Sequence, residues 1–271
     1  MKIAIRHQLS LGLGAGVSRG VQHLLLTPQS GPTQTVREWS IEMPGFAGAA
    51  SFIDGYGNRA QLVSQVKPEA ELVISIVGMV DTIDRNGVIG KPAGEAPPGL
   101  YRRTTALTKA AGAITSKFRS VPKGGSDRIP LLHGLMARVG EVIGGVEQAQ
   151  TQSLDESGQS QSQSQGDAER PAASEFAHAF IGAARALEIP ARYVTGYLAG
   201  SEDEPAAFHA WAEAWDDGLG WIGFDPTLGY CPTDHHVRVA VGLDAVSAVP
   251  VRSIPAVGTP QVLAMSVEAA Q

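Results

Sequence analysis

Residues 207–225 read AFHAWAEAWDDGLGWIGFD, and this stretch decides the fold. Within residues 207–215, one series of side chains (Phe208, Ala210, Ala212 and Ala214) alternates with a second series (His209, Trp211, Glu213 and Trp215). Such a period of two is typical of a β-strand. An Asp-Gly pair then turns the chain, and residues 220–225 form a second short apolar run. The stretch therefore predicts a tight antiparallel hairpin that carries His209 on one strand and Asp225 at the end of the other.

His209 and Asp225 are the candidate chemical pair of this hairpin. Residues on neighbouring antiparallel strands lie side by side, with Cβ atoms about 5 Å apart. A carboxylate in that position can hold one imidazole nitrogen and fix the tautomer, as a base that assists a nucleophile requires. A purely structural His–Asp hydrogen bond is the alternative, and spacing alone does not exclude it.

The elements around the hairpin predict an α+β unit. Residues 174–187 carry an apolar stripe at helical spacing, and 191–198 read as a strand. A helix followed by three antiparallel strands results. A further helix is predicted over 126–143, and a further strand over 236–243.

The amino-terminal part predicts an antiparallel β-sandwich of about 85 residues, because short strands alternate with Gly, Pro and Asn turns. The predicted strands are 2–11, 21–26, 35–43, 49–54, 59–66 and 71–80. The predicted organisation is a sandwich over 1–90, a connector over 91–125, an α+β core over 126–251 and a tail over 252–271.

A flexible insertion is predicted within the core over 148–170. Seven Gln and five Ser occur among the 18 residues 148–165. Such a polar run buries too little apolar surface to offset the entropy of ordering it.

Composition excludes several classes of protein. The chain has 271 residues, with 21 Lys+Arg against 27 Asp+Glu and a net charge of −6. A nucleic-acid or anionic-membrane binder would need a basic stripe. Because an apolar run of about 18 residues and a signal-peptide pattern are both missing, we expect a cytoplasmic protein.

One cysteine, Cys231, is present. It cannot form an internal disulfide or a cysteine-rich zinc site. The pair His235-His236 suggests metal, but its neighbourhood in the sequence lacks further ligands at a useful spacing. The residues therefore do not predict a metal site.

Several blocks resemble the bacterial transglutaminase-like family. They are FAH at 176–178, RALEIPARYVTGY at 185–197, HAWAEAW at 209–215, GWIGFDPT at 220–227 and HVRVAVG at 236–242. LLLTP at 24–28 and DGYGN at 54–58 resemble the amino-terminal region of that family. The resemblance extends to about residue 251, and it implies a β-sandwich followed by the papain-like core of cysteine proteases and transglutaminases.

The resemblance also implies a Cys-His-Asp triad, in which His209 is the acid and base and Asp225 orients it. The family's cysteine lies three positions before Phe176, and this chain has Ala173 there. An alanine methyl group cannot attack a carbonyl. The chemistry of the family requires no cofactor or metal.

Three hypotheses follow. The first is a pseudoenzyme that binds a peptide or protein amide. Its candidate binding residues are Ser174 and Glu175, which lie beside the position of the lost cysteine, and Trp211 and Trp221, which either pack in the core or line a cleft. The second is an active amide hydrolase or acyltransferase that uses Ser174 or Cys231. The third is an active enzyme with an introduced Cys→Ala change.

Overall fold

The computed structural model describes residues 1–120, 125–155, 172–200 and 207–270, and of residues 126 and 145–155 it describes the backbone alone. Thirteen strands in three sheets and three α-helices lie in these ranges. In the same ranges, the helices are all too short or too polar to cross a membrane.

Two four-stranded antiparallel sheets form the predicted sandwich, in the orders β13-β1-β6-β3 and β12-β2-β5-β4. Leucine, isoleucine and valine side chains from both sheets fill the space between them. The amino-terminal strands confirm the six predicted ones. They are β1 (Lys2–Gly12), β2 (Arg19–Thr27), β3 (Gln34–Glu42), β4 (Ala50–Ile53), β5 (Arg59–Val66) and β6 (Glu71–Thr82).

The sequence predicts a tail over 252–271, but residues 252–269 form strands in the structure. They form most of β12 (Val251–Ile254) and all of β13 (Val257–Ala269), which pair antiparallel with β2 and β1. β13 is an edge strand, and most of its residues are exposed, although Val267 is buried. Because Val267 is the one buried position of β13, the strand has no period of two between buried and exposed side chains. Its sequence therefore carries no strand pattern.

The core is a five-stranded antiparallel sheet in the order β11-β8-β9-β10-β7. It contains the predicted meander of three strands, and a short strand from the end of the amino-terminal part completes one edge. The strands are β7 (Val88–Gly90), β8 (Ala191–Leu198), β9 (Ala207–Asp216), β10 (Gly220–Phe224) and β11 (His236–Gly242).

The helices are α1 (Gly112–Thr115), α2 (Arg128–Asp155) and α3 (Ala173–Ala186). Both predicted helices are confirmed in place. α2 continues through residues 148–155 of the predicted insertion, where glutamine and alanine are adequate helix formers. The remaining residues of that insertion, 156–170, lie outside the described part of the chain.

Helix α3 packs against β8 and β9. Its apolar stripe meets Ala210, Ala212 and Ala214 in one buried cluster. Because these three side chains are small and lie on the same face of β9, the helix can approach the sheet closely. The Phe180 ring of the helix stacks on Phe224 of β10, with centroids 5.1 Å apart.

Arg185 in the last turn of α3 binds several segments of the core at once. Its Nε donates to the carbonyl oxygens of Tyr101 (2.9 Å) and Ala191 (3.1 Å). Its Nη1 donates to the Thr108 hydroxyl at 2.8 Å, and Nη2 donates to the carbonyl oxygens of Ala191 and Leu243, each at 2.8 Å. Burial lowers the pKa of Arg185 to about 10, so the guanidinium stays charged at neutral pH.

Replacing Arg185 by methionine keeps an apolar stem but leaves these buried oxygens without donors. We expect Arg185→Met to lower the free energy of unfolding by about 3–5 kcal/mol, measured by urea denaturation. Arg138→Met is the matched control, because Arg138 pairs with the exposed Glu141 on the surface of α2. The control should change stability by about 0–1 kcal/mol, and equal losses in the two variants would contradict the assigned role of Arg185.

Candidate functional site

The predicted hairpin brings His209 and Asp225 into direct contact. β9 and β10 pair from Gly220 opposite Asp216 to Phe224 opposite Ala212, and Asp225 follows β10 directly. The His209 Nε2 and Asp225 Oδ2 atoms lie 2.6 Å apart, and both side chains are buried.

Asp225 accepts four hydrogen bonds. Oδ2 accepts from Nε2 of His209 and from Nε2 of His236, the latter at 3.3 Å. Oδ1 accepts from the backbone N–H groups of Thr227 (3.1 Å) and Leu228 (3.3 Å). Burial alone would raise the pKa of Asp225, but the hydrogen bonds from the two histidines outweigh it and hold that pKa below its ordinary value. Asp225 is therefore ionised at neutral pH.

The hydrogen bonds fix the tautomers of both histidines. The His236 Nδ1 atom accepts from the backbone N–H of Thr233 at 3.2 Å, so its Nε2 carries the hydrogen. An ionised carboxylate only accepts, so His209 also carries its hydrogen on Nε2. In neutral His209 the lone pair is therefore on Nδ1, and a base oriented by a carboxylate has this arrangement.

His236 is a member of the site that local spacing did not reveal. Together with His209 and Asp225 it forms a group whose potential metal-ligand atoms lie within 4.8 Å of one another. When two atoms each coordinate one zinc ion at a distance of about 2.0–2.1 Å, the two atoms lie roughly 3 Å or more from each other. Because Nε2 of His209 is 2.6 Å from Asp225, the group is arranged as a hydrogen-bonded cluster around one carboxylate.

Trp211 supports this cluster from β9. Its ring stacks on His209 at 6.3 Å and meets His236 edge-on at 5.3 Å. Gly196 lies opposite His209 in the sheet, and a Cβ atom there would be 2.6 Å from the Trp211 ring and 2.2 Å from the carbonyl oxygen of Val237. Glycine at position 196 therefore leaves the space that the indole occupies.

A cavity of about 440 Å³ lies between the sandwich and the core. His209 lines it from the core, together with Ala173 and Ser174. Ala173 is the first residue of α3 and is partly buried. Within the described residues, no hydrogen bond joins the Ser174 hydroxyl to His209.

His7 of β1 lines the same cavity from the sandwich. Its ring is 2% exposed, and Nδ1 lies 3.0 Å from the Tyr197 hydroxyl. Its Nε2 atom is buried and has no hydrogen-bond partner in the part of the chain that the structure describes. Burial lowers the pKa of His7 to about 4, so the ring is neutral at pH 7. Sequence reasoning missed His7, although its buried place in the alternation of β1 was a usable signal.

The other candidate residues lie elsewhere. Glu175 is exposed and does not line the cavity. Trp221 is buried away from the cavity and stacks on the Arg192 guanidinium at 3.9 Å. His178 has a structural role, because Nε2 accepts from the backbone N–H of Ala245 at 3.0 Å.

Cys231 also lies outside the lining of the cavity. It packs closely against Gly87, where an added Cβ atom would be 2.7 Å from the Cβ of Cys231. Burial raises the pKa of the thiol, and the charge of Asp84 raises it further. Both effects lower the thiolate fraction, which is the nucleophilic form.

Comparisons with known proteins match both parts of the chain. The family profile for the bacterial transglutaminase-like N-terminal region matches residues 3–81, and the profile for the transglutaminase-like superfamily core matches residues 148–226. An uncharacterized protein of Mycobacterium leprae is 35% identical over 86 residues, which is 30% of this chain and 30% of that protein. The chain thus matches less than a third of this curated relative's length.

A solved structure shares the whole fold. The crystal structure of a candidate cysteine protease from Cytophaga hutchinsonii aligns with a TM-score of 0.61, covering 99% of this chain and 89% of that one. The two sequences are 19% identical, so the likeness concerns the fold alone. It shows a papain-like core joined to an amino-terminal sandwich.

The fixed tautomer of His209 can be tested with Asp225→Asn. An asparagine that keeps its oxygen toward Thr227 and Leu228 presents N–H groups to both histidines. We expect His209 to move its hydrogen from Nε2 to Nδ1, and stability to fall by about 1–3 kcal/mol. Long-range ¹H–¹⁵N NMR spectra report the tautomer.

Asp216→Asn is the matched control for this test. Asp216 also caps a turn through the N–H groups of Gly218 and Leu219, without a histidine partner. The His209 signals should not change in this control. A wild-type protein whose His209 already carries its hydrogen on Nδ1 would contradict the assignment.

The depressed pKa of His7 predicts a pH dependence of stability. Unfolded His7 binds a proton as pH falls below 6.5, whereas the native ring stays neutral until about pH 4. Protons therefore favour the unfolded state in this window. Relative to His7→Phe, the wild type should lose at most about 1.4 kcal/mol per pH unit between pH 6.5 and 4. Urea denaturation at several pH values measures this, and parallel stability curves would contradict it.

Proposed function

Because this chain belongs to the bacterial transglutaminase-like family and has alanine at the start of α3, we propose that it is a catalytically inactive member that binds peptide or protein amides. The observation that carries the proposal is that Ala173 and His209 line one cavity, with Asp225 behind the imidazole. Position 173 is where the family resemblance places the nucleophile.

The reaction of an intact site shows what this chain lacks. A thiolate would attack the amide carbonyl carbon, the amine would leave with a proton from the imidazolium, and a thioester acyl-enzyme would form. Water or a second amine would then release the acyl group. The Ala173 methyl group has no lone pair and no acidic proton, so no covalent intermediate forms there.

The rest of the site remains suited to binding. His209 presents its imidazole to the cavity, and Asp225 holds the orientation of the ring. Because Nε2 of His209 is bonded to Asp225, the remaining nitrogen, Nδ1, accepts a hydrogen bond when the ring is neutral, and an amide N–H can donate it. Trp211 stacks on this imidazole, whereas Glu175 and Trp221 do not line the cavity and are not expected to contact a ligand there.

Ser174 favours an alternative function, an amide hydrolase or acyltransferase with a serine nucleophile, because its side chain lines the cavity. The missing hydrogen bond between its hydroxyl and His209 in the described structure weighs against this alternative. Cys231 is a weaker alternative, since burial disfavours its thiolate. An introduced Cys→Ala change is a further possibility, and the genomic codon for position 173 decides it.

A cytoplasmic location stays part of the proposal. Fractionation of native cells, followed by capture of bound proteins from the same fraction, would test the location and identify a partner together. Recovery in a membrane or exported fraction would contradict it.

Catalytic inactivity has a direct test. Incubation of the wild-type protein with a glutamine-containing peptide and a fluorescent amine should release no ammonia and incorporate no amine. Turnover that disappears in Ser174→Ala or Cys231→Ala would instead establish the alternative. Ala173→Cys should also stay inactive, because Pro171, Ser174 and Glu175 differ from the family's pattern as well.

Alkylation tests the geometry of the site without requiring turnover. The thiol created by Ala173→Cys in a Cys231→Ala background lies at a helix start near His209, where its pKa should fall. Iodoacetamide should label it at neutral pH faster than it labels Cys231 in the wild type. Equal labelling rates would contradict the placement of residue 173, and robust turnover would indicate a recent or introduced loss of the nucleophile.

A further inference from the structure

An exposed apolar row crosses all four strands of the sandwich sheet β12-β2-β5-β4. Ile254 of β12 lies opposite Val21 of β2. Leu62 of β5 lies opposite His23, two residues further along β2 than Val21, and Phe52 of β4 lies another two residues along the sheet. Because side chains two residues apart in a strand share a face, these four apolar side chains form one diagonal row on the outward face.

The diagonal row is open to solvent. The exposed fractions of its side chains are 37% for Val21, 40% for Leu62, 44% for Phe52 and 72% for Ile254, whereas Leu24, on the opposite face of β2, packs inside the sandwich. Single exposed apolar side chains are common, but a contiguous set marks an interaction surface. Adjacent strands are about 4.8 Å apart and diagonal neighbours about 7–8 Å. The row is therefore about 20 Å long, which is the length of an α-helix of about 13 residues.

Arginine lies on both sides of the diagonal row. Arg252 of β12 is opposite His23, Arg19 of β2 is two residues before Val21, and both arginines are exposed. The four strands contain three arginines and no Asp or Glu, although the net charge of the whole chain is −6. Burial and then the charge of Arg252 lower the pKa of His23, so the positive charge of this face at neutral pH comes from arginine. Asp54 follows β4 at the far end, so the positive half of the row is the one on β12 and β2.

The length and charge of this face restrict what can cover it. An extended strand adds to the edge of a sheet rather than lying across its face. Stable binding to an anionic membrane uses clusters of about 4–8 Lys or Arg, and the negative charge of the whole chain opposes it. In a second copy the apolar stripes of α2 and α3 are packed in its own core, so no free amphipathic helix remains among the helices that the structure describes.

We propose that the diagonal row docks an amphipathic α-helix of a partner protein, one that carries Asp or Glu on both sides of its apolar stripe. The stripe covers the four apolar side chains, and the carboxylates pair with Arg19 and Arg252. None of these residues lines the cavity that contains Ala173 and His209. The surface is therefore independent of the proposed amide-binding function, and it gives the sandwich a binding role of its own.

The test uses the full chain with ¹³C-labelled Ile, Leu and Val methyl groups and a set of peptides of about 14 residues. Each peptide has leucine at every third or fourth position, and a hydrocarbon staple opposite the leucines keeps it helical, because short isolated helices are marginal. The residues that flank the leucines are glutamate in the first peptide, glutamine in the second and lysine in the third.

Methyl ¹H–¹³C spectra locate the binding surface during titration. We expect the glutamate peptide to shift the methyl signals of Val21, Leu62 and Ile254 saturably, and to leave those of Val77, on the other sandwich sheet, unchanged. The glutamine peptide should bind about tenfold more weakly, and the lysine peptide more weakly still. Added salt should reduce the difference between the peptides, because the arginines are exposed.

A charge-reversal variant tests the two arginines. Arg19→Glu combined with Arg252→Glu should weaken binding of the glutamate peptide at least about tenfold and make the lysine peptide the tighter ligand. This reversal of preference cannot come from partial unfolding, which would weaken both peptides. Arg6→Glu is the matched control, because Arg6 is an exposed arginine on β1 of the other sheet. The control should keep the order of affinities of the wild type.

A second variant tests the apolar contact. Leu62→Gln removes apolar surface from the middle of the row, and it should weaken binding of all three peptides by about five- to tenfold. Val77→Gln is the matched control, because Val77 is an exposed apolar residue on β6 of the other sheet. The control should bind each peptide as the wild type does.

Several results would overturn the helix site. They are the absence of a saturable methyl shift at the solubility limit, equal binding of the glutamate and lysine peptides, and unchanged affinity in Leu62→Gln. Co-sedimentation with phosphatidylserine vesicles that is lost in Leu62→Gln would make a membrane the occupant instead. A dimer in sedimentation equilibrium that Leu62→Gln dissociates and Val77→Gln does not would make it a second copy.

Discussion

The buried guanidinium of Arg185 sets the position of helix α3, and the candidate site depends on that position. Five contacts to the described chain use its fixed fork of donors, and they reach the segment before α1, the start of β8 and the loop after β11. A cation in the last turn also complements the helix dipole. Because these acceptors belong to different segments, α3 cannot slide along the sheet without breaking several hydrogen bonds. The first turn, with Ala173, is therefore held at the cavity.

A second buried network explains why Trp221 is not a ligand contact. Arg192 donates from Nε to Glu213 and from Nη1 to Glu95, both at 2.6 Å, and Glu95 also accepts from Arg238 at 2.9 Å. Trp221 covers the Arg192 guanidinium. These groups join the predicted connector to three strands of the core sheet. Breaking one partner of such a network leaves an uncompensated buried charge, so the indole serves the network.

Elements with a clear period were predictable from the sequence, and contacts between distant segments were not. The alternation of β1 to β6 predicted the sandwich, and the Asp-Gly turn predicted that Asp225 meets His209. β13 gave no such signal because its neighbours bury few of its side chains. The sandwich therefore includes residues from both ends of the chain, which a division into consecutive ranges cannot express.

The two missed histidines have the same physical explanation. His7 alternates inward with Ile3 and Ile5, so burial was predictable. The cavity that it lines is formed partly by α3 and β9, more than 160 residues away in the chain. His236 meets Asp225 only because β11 crosses to the far edge of the sheet and begins near the end of β10. Spacing within the sequence does not report either contact.

An intact His–Asp pair is weak evidence of catalysis in this fold, because stability alone preserves it. Asp225 accepts hydrogen bonds from two imidazoles and two backbone groups, and its loss would leave buried donors unpaired at about 1–3 kcal/mol each. The residue at position 173 carries no such constraint, since its side chain is partly buried at a helix start and makes no hydrogen bond. Once the chemistry is no longer selected, the nucleophile can change freely while the carboxylate and its histidines remain. Ala173 beside an ordered His209–Asp225 pair is therefore consistent with the proposed inactive, binding role.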